Sequence, residues 1–259
     1  MPDHPLTIDE MEKSAGQRIL AVFPQVKALT QEIYDLGRYV VFAWPETNSE
    51  SVTSSDLACR YLFHRLYTDF FAISTLLGKG YGLQAATLAS SSFETAFMIM
   101  YIGADNEKAT KWLENDNPFK FSIGVEARVK EVLENSGLSK IELKSETERL
   151  YSVYRNLSGA KHVNIHTQGL FQFVMKEEEI GFVSGPDYQD RGIWIFGYTF
   201  QSFASFFIMT AQSIADSHIS KSEYLELIKM CHSLILKNNH FNVQIDKFIA
   251  EADFDNPKL

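Results

Sequence analysis

Apolar residues recur every three to four positions along most of this chain, and Pro, Gly or Ser/Thr-rich stretches interrupt the rhythm. The spacing predicts helices over 7–22 and 25–43, interrupted at Pro24 and closed by Trp44-Pro45. Glu46 to Ser55, rich in Ser, Thr and Asn, reads as a surface loop. A long helix is expected from near Asp56 to about Leu77, where Gly78-Lys79-Gly80 breaks it. Further helices follow over 82–102 and 106–114, then one near 121–135 that lies beyond Asn117-Pro118 and ends at Gly137. The next begins after Ser139 and runs to about His162. Leu170 to Ser184 breaks the helical rhythm. Phe171, Phe173, Val174 and Met175 precede an acidic turn at Glu177-Glu178-Glu179, and Ile180, Phe182 and Val183 follow, the pattern of a hairpin or folded loop. Two long helices over 191–218 and 221–250 complete the pattern, with Asp253 to Leu259 as a frayed tail. The fold class expected is an all-α multi-helix bundle with a small β-hairpin-like insertion near 170–184.

Composition sharpens this picture. Across 259 residues, 45% are hydrophobic and 13% aromatic, enough burial to offset the entropy of ordering, so disorder is excluded as a description of the chain. No repeat or flexible linker divides it, so one helical domain is expected over 1–259, with N-terminal helices in 1–45 and long C-terminal helices in 190–252. Cys59 and Cys231 have no metal-type spacing and fit free thiols of a reducing cytoplasm. Met1-Pro2-Asp3-His4 is not followed by the apolar run of a secretory signal. Gly192 to Ala215 carries no charge, but Gln201, Gln212 and scattered Ser and Thr suit a buried or interfacial helix better than a bilayer span. Its aromatic row, Trp194, Phe196, Tyr198, Phe200, Phe203, Phe206 and Phe207, is expected in the core. No membrane partner is expected.

Charge sets a condition on any nucleic-acid role. The formal net charge is −9, so the bulk field repels phosphate and recognition would need a local basic site.

The richest chemistry lies on the helix ending near His162. Leu150, Val153, Tyr154 and Leu157 form an apolar stripe, while Arg155 and His162 stand two turns apart and about 20° from eclipsed. Tyr151 and Gly159 lie near them, away from the stripe, and His166 joins the row if the helix continues past Val163. Gly159 would allow close approach of a phosphate or another chain.

The run Arg155-Asn156-Leu157-Ser158-Gly159-Ala160-Lys161-His162 resembles the catalytic motif of HEPN-type ribonucleases, an Arg followed by a polar residue and then a His further along. The phrase from Tyr154 to His162 is also similar to a group of bacterial helical proteins related to HEPN domains. In that group an upstream helix carries an Arg one turn before a Glu; here Glu94 matches, and Ser90 stands where the Arg would be. The resemblance covers 56–166 and implies a HEPN-like core there. It implies a metal-independent endoribonuclease of toxin or antiviral-defence type, without cofactor, acting on RNA as a homodimer and controlled by an antitoxin or defence partner. The 2′-hydroxyl of RNA would be the nucleophile, His162 the general base or acid, and Arg155 the phosphate clamp. Asn156 or Ser158 would orient phosphate or imidazole, Lys161 and Tyr151 would contact substrate, and Glu94 and His166 would support the site.

Plainer readings of the same residues stand beside this one. Arg155 could pair with Glu148, His162 could cap a helix C-terminus, and Glu94 could be a structural carboxylate bonded to a Ser or Tyr. His162 and His166 have metal-binding spacing, but no third ligand is evident. His64-Arg65 could add to a basic cleft but reads first as surface. The alternative function is a non-catalytic helical module that binds nucleotide, RNA or a protein partner.

Overall fold

Helix starts in this chain are set by side chains that satisfy otherwise unbonded N–H groups. Thr7 and Glu10 form a reciprocal capping box at α1 (Ile8–Val22), and Ser139 and Glu142 form another at α7 (Lys140–Gly159). The Thr53 hydroxyl caps α3 (Ser54–Gly78), accepting from the Asp56 N–H at 3.1 Å. Asp105 does the same for α5 (Asn106–Leu113). Between them run α2 (Val26–Ala43), α4 (Gly82–Ile102) and α6 (Val125–Glu134). The computed structural model describes residues 6–45, 52–115, 123–161, 173–176, 179–182, 185–187 and 189–252. Within these, β1 (Phe173–Lys176) and β2 (Glu179–Phe182) pair antiparallel, Phe173 opposite Phe182 and Lys176 opposite Glu179. The chain then forms α8 (Asp190–His218) and α9 (Lys221–Glu251). The architecture is an all-α bundle.

Helix α8 is the axis of the packing. It lies against α9 and α4 and also reaches α2 and α3, while α6 and α7 pack on α4 and on each other. Its aromatic row supplies the contacts: Phe203 stacks on Phe70 at 5.7 Å, and Phe207 sits 5.6 Å from Phe63. Phe196, Phe200, Phe203, Phe206 and Phe207 are buried, each contributing on the order of 1.5–3 kcal/mol, whereas Trp194 and Tyr198 are half-buried. Among the described residues α8 alone is long and apolar enough to cross a membrane, and 72% of its most apolar window is buried inside the protein. The protein's own core accounts for its apolar character.

The break between α3 and α4 depends on Gly80, whose φ of +85° only glycine adopts readily, and whose carbonyl accepts from the Asp187 N–H at 3.0 Å. Cys59 and Cys231 are buried and free, and burial pushes both thiols up to about 12, so neither is a thiolate at neutral pH.

Two expectations need correction. Helix α7 ends at Gly159, short of His162, because its last turn tightens: Ala160 N–H bonds the Leu157 carbonyl and Lys161 N–H that of Ser158. The apolar stripe of α7 is also uneven, with Leu150 and Leu157 buried but Val153 and Tyr154 only half-buried. The loop 46–51, the tail 253–259 and His162 and His166 lie outside the described residues.

Candidate functional site

The C-terminal end of α7 meets α4 at Glu94. The Tyr154 hydroxyl donates to Glu94 Oε1 at 3.0 Å, and Lys161 Nζ stands 3.8 Å from the same oxygen. Burial, helped by the Glu94 charge, raises the Tyr154 pKa and keeps its phenol a donor. The Tyr151 ring stacks on Tyr154 at 6.0 Å, and Ser158 is buried beneath. Glu94 thus contacts Tyr154 and Lys161 and not Arg155. The expected bond to a Tyr is formed, while His162, the other residue it was expected to orient, lies outside the described residues.

Arg155 and Asn156 point elsewhere. The Asn156 amide donates to the Tyr198 hydroxyl of α8 at 3.0 Å. Arg155 is exposed and makes no ion pair or hydrogen bond among the described residues. Glu148 pairs instead with Lys144 at 3.9 Å, so the proposed Arg155–Glu148 pair is not formed. The structure therefore gathers Glu94, Tyr154, Lys161, Tyr151 and Ser158 at one helix end. It commits Asn156 to α8 and leaves the Arg155 guanidinium open to solvent.

A second polar cluster sits at the junction of α2, α3 and α8. The Trp44 indole donates to Asp56 Oδ1 at 2.5 Å, Arg60 Nε to Oδ2 at 3.0 Å, and His218 Nδ1 lies 3.8 Å from Oδ1. Trp44 and His218 stack at 5.4 Å, and the Arg60 guanidinium lies over the Trp44 ring at 5.1 Å. Burial lowers the His218 pKa and outweighs the Asp56 charge that opposes it, so the imidazole stays neutral. Although Cys59 lies one turn from Asp56 on α3, its protonated, buried thiol offers no nucleophile, and the cluster is a brace. Nothing in the sequence links positions so far apart, and Asp56 alone is legible, as a first-turn acid of α3.

The third feature is a cleft of about 900 Å³ walled by α3, α4, α5 and α6, with Tyr61, Arg65, Glu94, Met98, Trp112 and Arg128 on its lining. Arg128 is 7% exposed, and its guanidinium donates to the backbone carbonyls of Glu94 at 3.2 Å and Ile123 at 3.1 Å. Sequence reasoning missed it. The available signal was an Arg on the apolar row of Val125, Val129 and Val132. Arg65 is exposed, as expected, and stands on the lining of this cleft. Among the described residues no three His, Cys, Asp or Glu side chains converge as a metal-ligand set. No family model matches the chain, and no curated protein or solved structure does either.

Proposed function

We propose that this protein is a metal-independent endoribonuclease of toxin or antiviral-defence type, with Arg155 as phosphate clamp and His162 as general acid–base. The observation that carries this reading is the uncommitted guanidinium of Arg155. An exposed Arg with no partner among the described residues is available to a phosphate, whereas one locked to Glu148 would not be. The HEPN resemblance supplies the pairing with His162. In a chain of net charge −9, a homodimer that joins two copies of Arg155, Lys161 and His162 supplies the local positive field that RNA needs. Glu94 and Tyr154 fix the end of α7, from which the chain leads to His162; these are positioning residues, as is Asn156 through Tyr198.

The test is cleavage of RNA by the wild type and by Arg155→Ala and His162→Ala variants. Loss in both supports the reading, and wild-type rates in either defeat it. One observation favours the non-catalytic alternative: the large cleft includes Glu94 but not Arg155. RNA that binds but is never cut would select that alternative.

A further inference from the structure

We infer that the cleft between α3, α4, α5 and α6 binds a nucleoside monophosphate, its phosphate on Arg128 and Arg65 and its base against Tyr61 and Trp112. This site lies beyond the ribonuclease reading and uses neither Arg155 nor His162.

Burying a guanidinium is costly unless its charge is matched, and Arg128 is only 7% exposed. Two of its nitrogens reach backbone carbonyls, which satisfy hydrogen bonds but not charge. Its Nε–H finds no acceptor, and no carboxylate among the described residues comes within ion-pair distance. Burial depresses its pKa, opposed only in part by the charge of Glu94, and a bound anion would offset the remaining cost.

Arg65 adds a second cation to the same lining. Its bond to Asp69 is long, at 4.0 Å, and Asp69 is served by the Ser92 hydroxyl at 3.1 Å. Among the described residues Glu94 is the one acid on the lining, and its carboxylate is tied to Tyr154 and Lys161. The lining thus carries, among the described residues, two arginines and one engaged glutamate, with Asp69 beside Arg65. Arg, with its planar fork, suits a phosphate better than a point cation would.

The remaining walls suit a planar ring. Tyr61 is 69% exposed, an unusual position for a tyrosine, and its ring lies 6.5 Å from that of Trp112 at 49°. Trp112 is half-buried, so the exposed Tyr61 ring offers the open face, and stacking of a base on an aromatic ring contributes roughly 1–3 kcal/mol. A volume of about 900 Å³ falls in the range of small-molecule sites.

The experiment is calorimetric titration of the full chain with AMP, GMP, CMP, UMP and inorganic phosphate. Saturable binding of at least one nucleotide is expected, with inorganic phosphate at least tenfold weaker. Arg65→Gln and Trp112→Ala should each weaken binding by about tenfold or more, since each removes one group that holds the ligand. Arg65 is exposed, so Arg65→Gln should fold as the wild type, whereas Trp112 packs against the core and the Trp112→Ala titration counts only if its urea midpoint shows a folded protein at the titration temperature. Arg155→Ala should bind as the wild type, which separates this site from the proposed RNA-cutting one. The inference is overturned if none of the four nucleotides binds, if inorganic phosphate binds as tightly, or if Arg65→Gln and Trp112→Ala change nothing. Loss of binding in Arg155→Ala would also overturn it.

Discussion

The Tyr154 hydroxyl donates to the Glu94 carboxylate at 3.0 Å, and this bond pins the last full turn of α7 to α4. A charge-assisted bond between half-buried groups outlasts a surface ion pair such as Lys144–Glu148, because water competes less well for it. Tyr154→Phe keeps the ring contacts with Tyr151 and Phe93 and removes only the hydroxyl. It should cost about 1–2 kcal/mol in urea unfolding. A double-mutant cycle with Glu94→Gln should show coupling of at least about 0.5 kcal/mol. Strict additivity would mean that the two groups do not act together.

Two glycines should respond to alanine in opposite directions. In α2, a methyl group on Gly37 would stand 2.4 Å from the Tyr67 ring and 3.1 Å from that of Phe207. The helix-propensity gain of about 1 kcal/mol is then outweighed by an overpacking cost of about 1–3 kcal/mol. Gly78, at the end of α3, has nothing within 4 Å of the added group. Gly37→Ala should lower the unfolding midpoint and Gly78→Ala raise it by up to about 1 kcal/mol. A stabilised Gly37→Ala would show that α2 and α3 are less tightly packed than Tyr67 implies.

Helices were legible where apolar periodicity coincided with caps, as at Thr7 and Ser139, because both signals are local. The end of α7 was not, since the tightening after Gly159 leaves the apolar row unchanged. At the candidate site, Glu94 was legible as a half-buried carboxylate, but its partner Tyr154 looked like pure core, because a phenol carries both an apolar ring and a donor. Of the Trp44–Asp56–His218 brace only Asp56 was legible, as a first-turn acid of α3. The rest depends on where α8 ends relative to α3, which is tertiary information.

That brace gives the protein a pH-dependent stability. His218 has a folded pKa below the ordinary value near 6.5, because burial disfavours the imidazolium more than Asp56 favours it, and Arg60 adds to the depression. Above about pH 6.5 both folded and unfolded states are neutral at this residue, and its contribution is fully present. As pH falls below that value the unfolded chain takes up a proton that the native state does not, so stability declines until pH passes the folded pKa. The urea midpoint should therefore fall between about pH 7 and pH 5. A His218→Gln variant should show a shallower fall over the same interval. Parallel profiles for the two proteins would assign the pH dependence to other groups.

The final prediction concerns the chemistry proposed for Arg155 and His162. General acid–base catalysis and stabilisation of charge in the transition state each contribute on the order of 10²–10³-fold, so Arg155→Ala and His162→Ala should each lower RNA cleavage by about that much. Arg155→Ala should unfold at the wild-type midpoint, since the side chain is exposed and no described residue depends on it. If the 2′-hydroxyl is the nucleophile, its attack on the adjacent phosphorus forms one P–O bond while the bond to the 5′-oxygen breaks. A base removes the hydroxyl proton and an acid supplies one to the leaving oxygen. The products should then carry a 2′,3′-cyclic phosphate and a free 5′-hydroxyl, and DNA should resist cutting. Cleavage should continue in excess EDTA, because this route needs no Lewis acid. Activity abolished by EDTA and restored by a divalent ion would instead make His162 and His166 candidate ligands, as their four-residue spacing allows. Cutting of DNA at comparable rates would reject the 2′-hydroxyl as nucleophile, and with it the role given to His162.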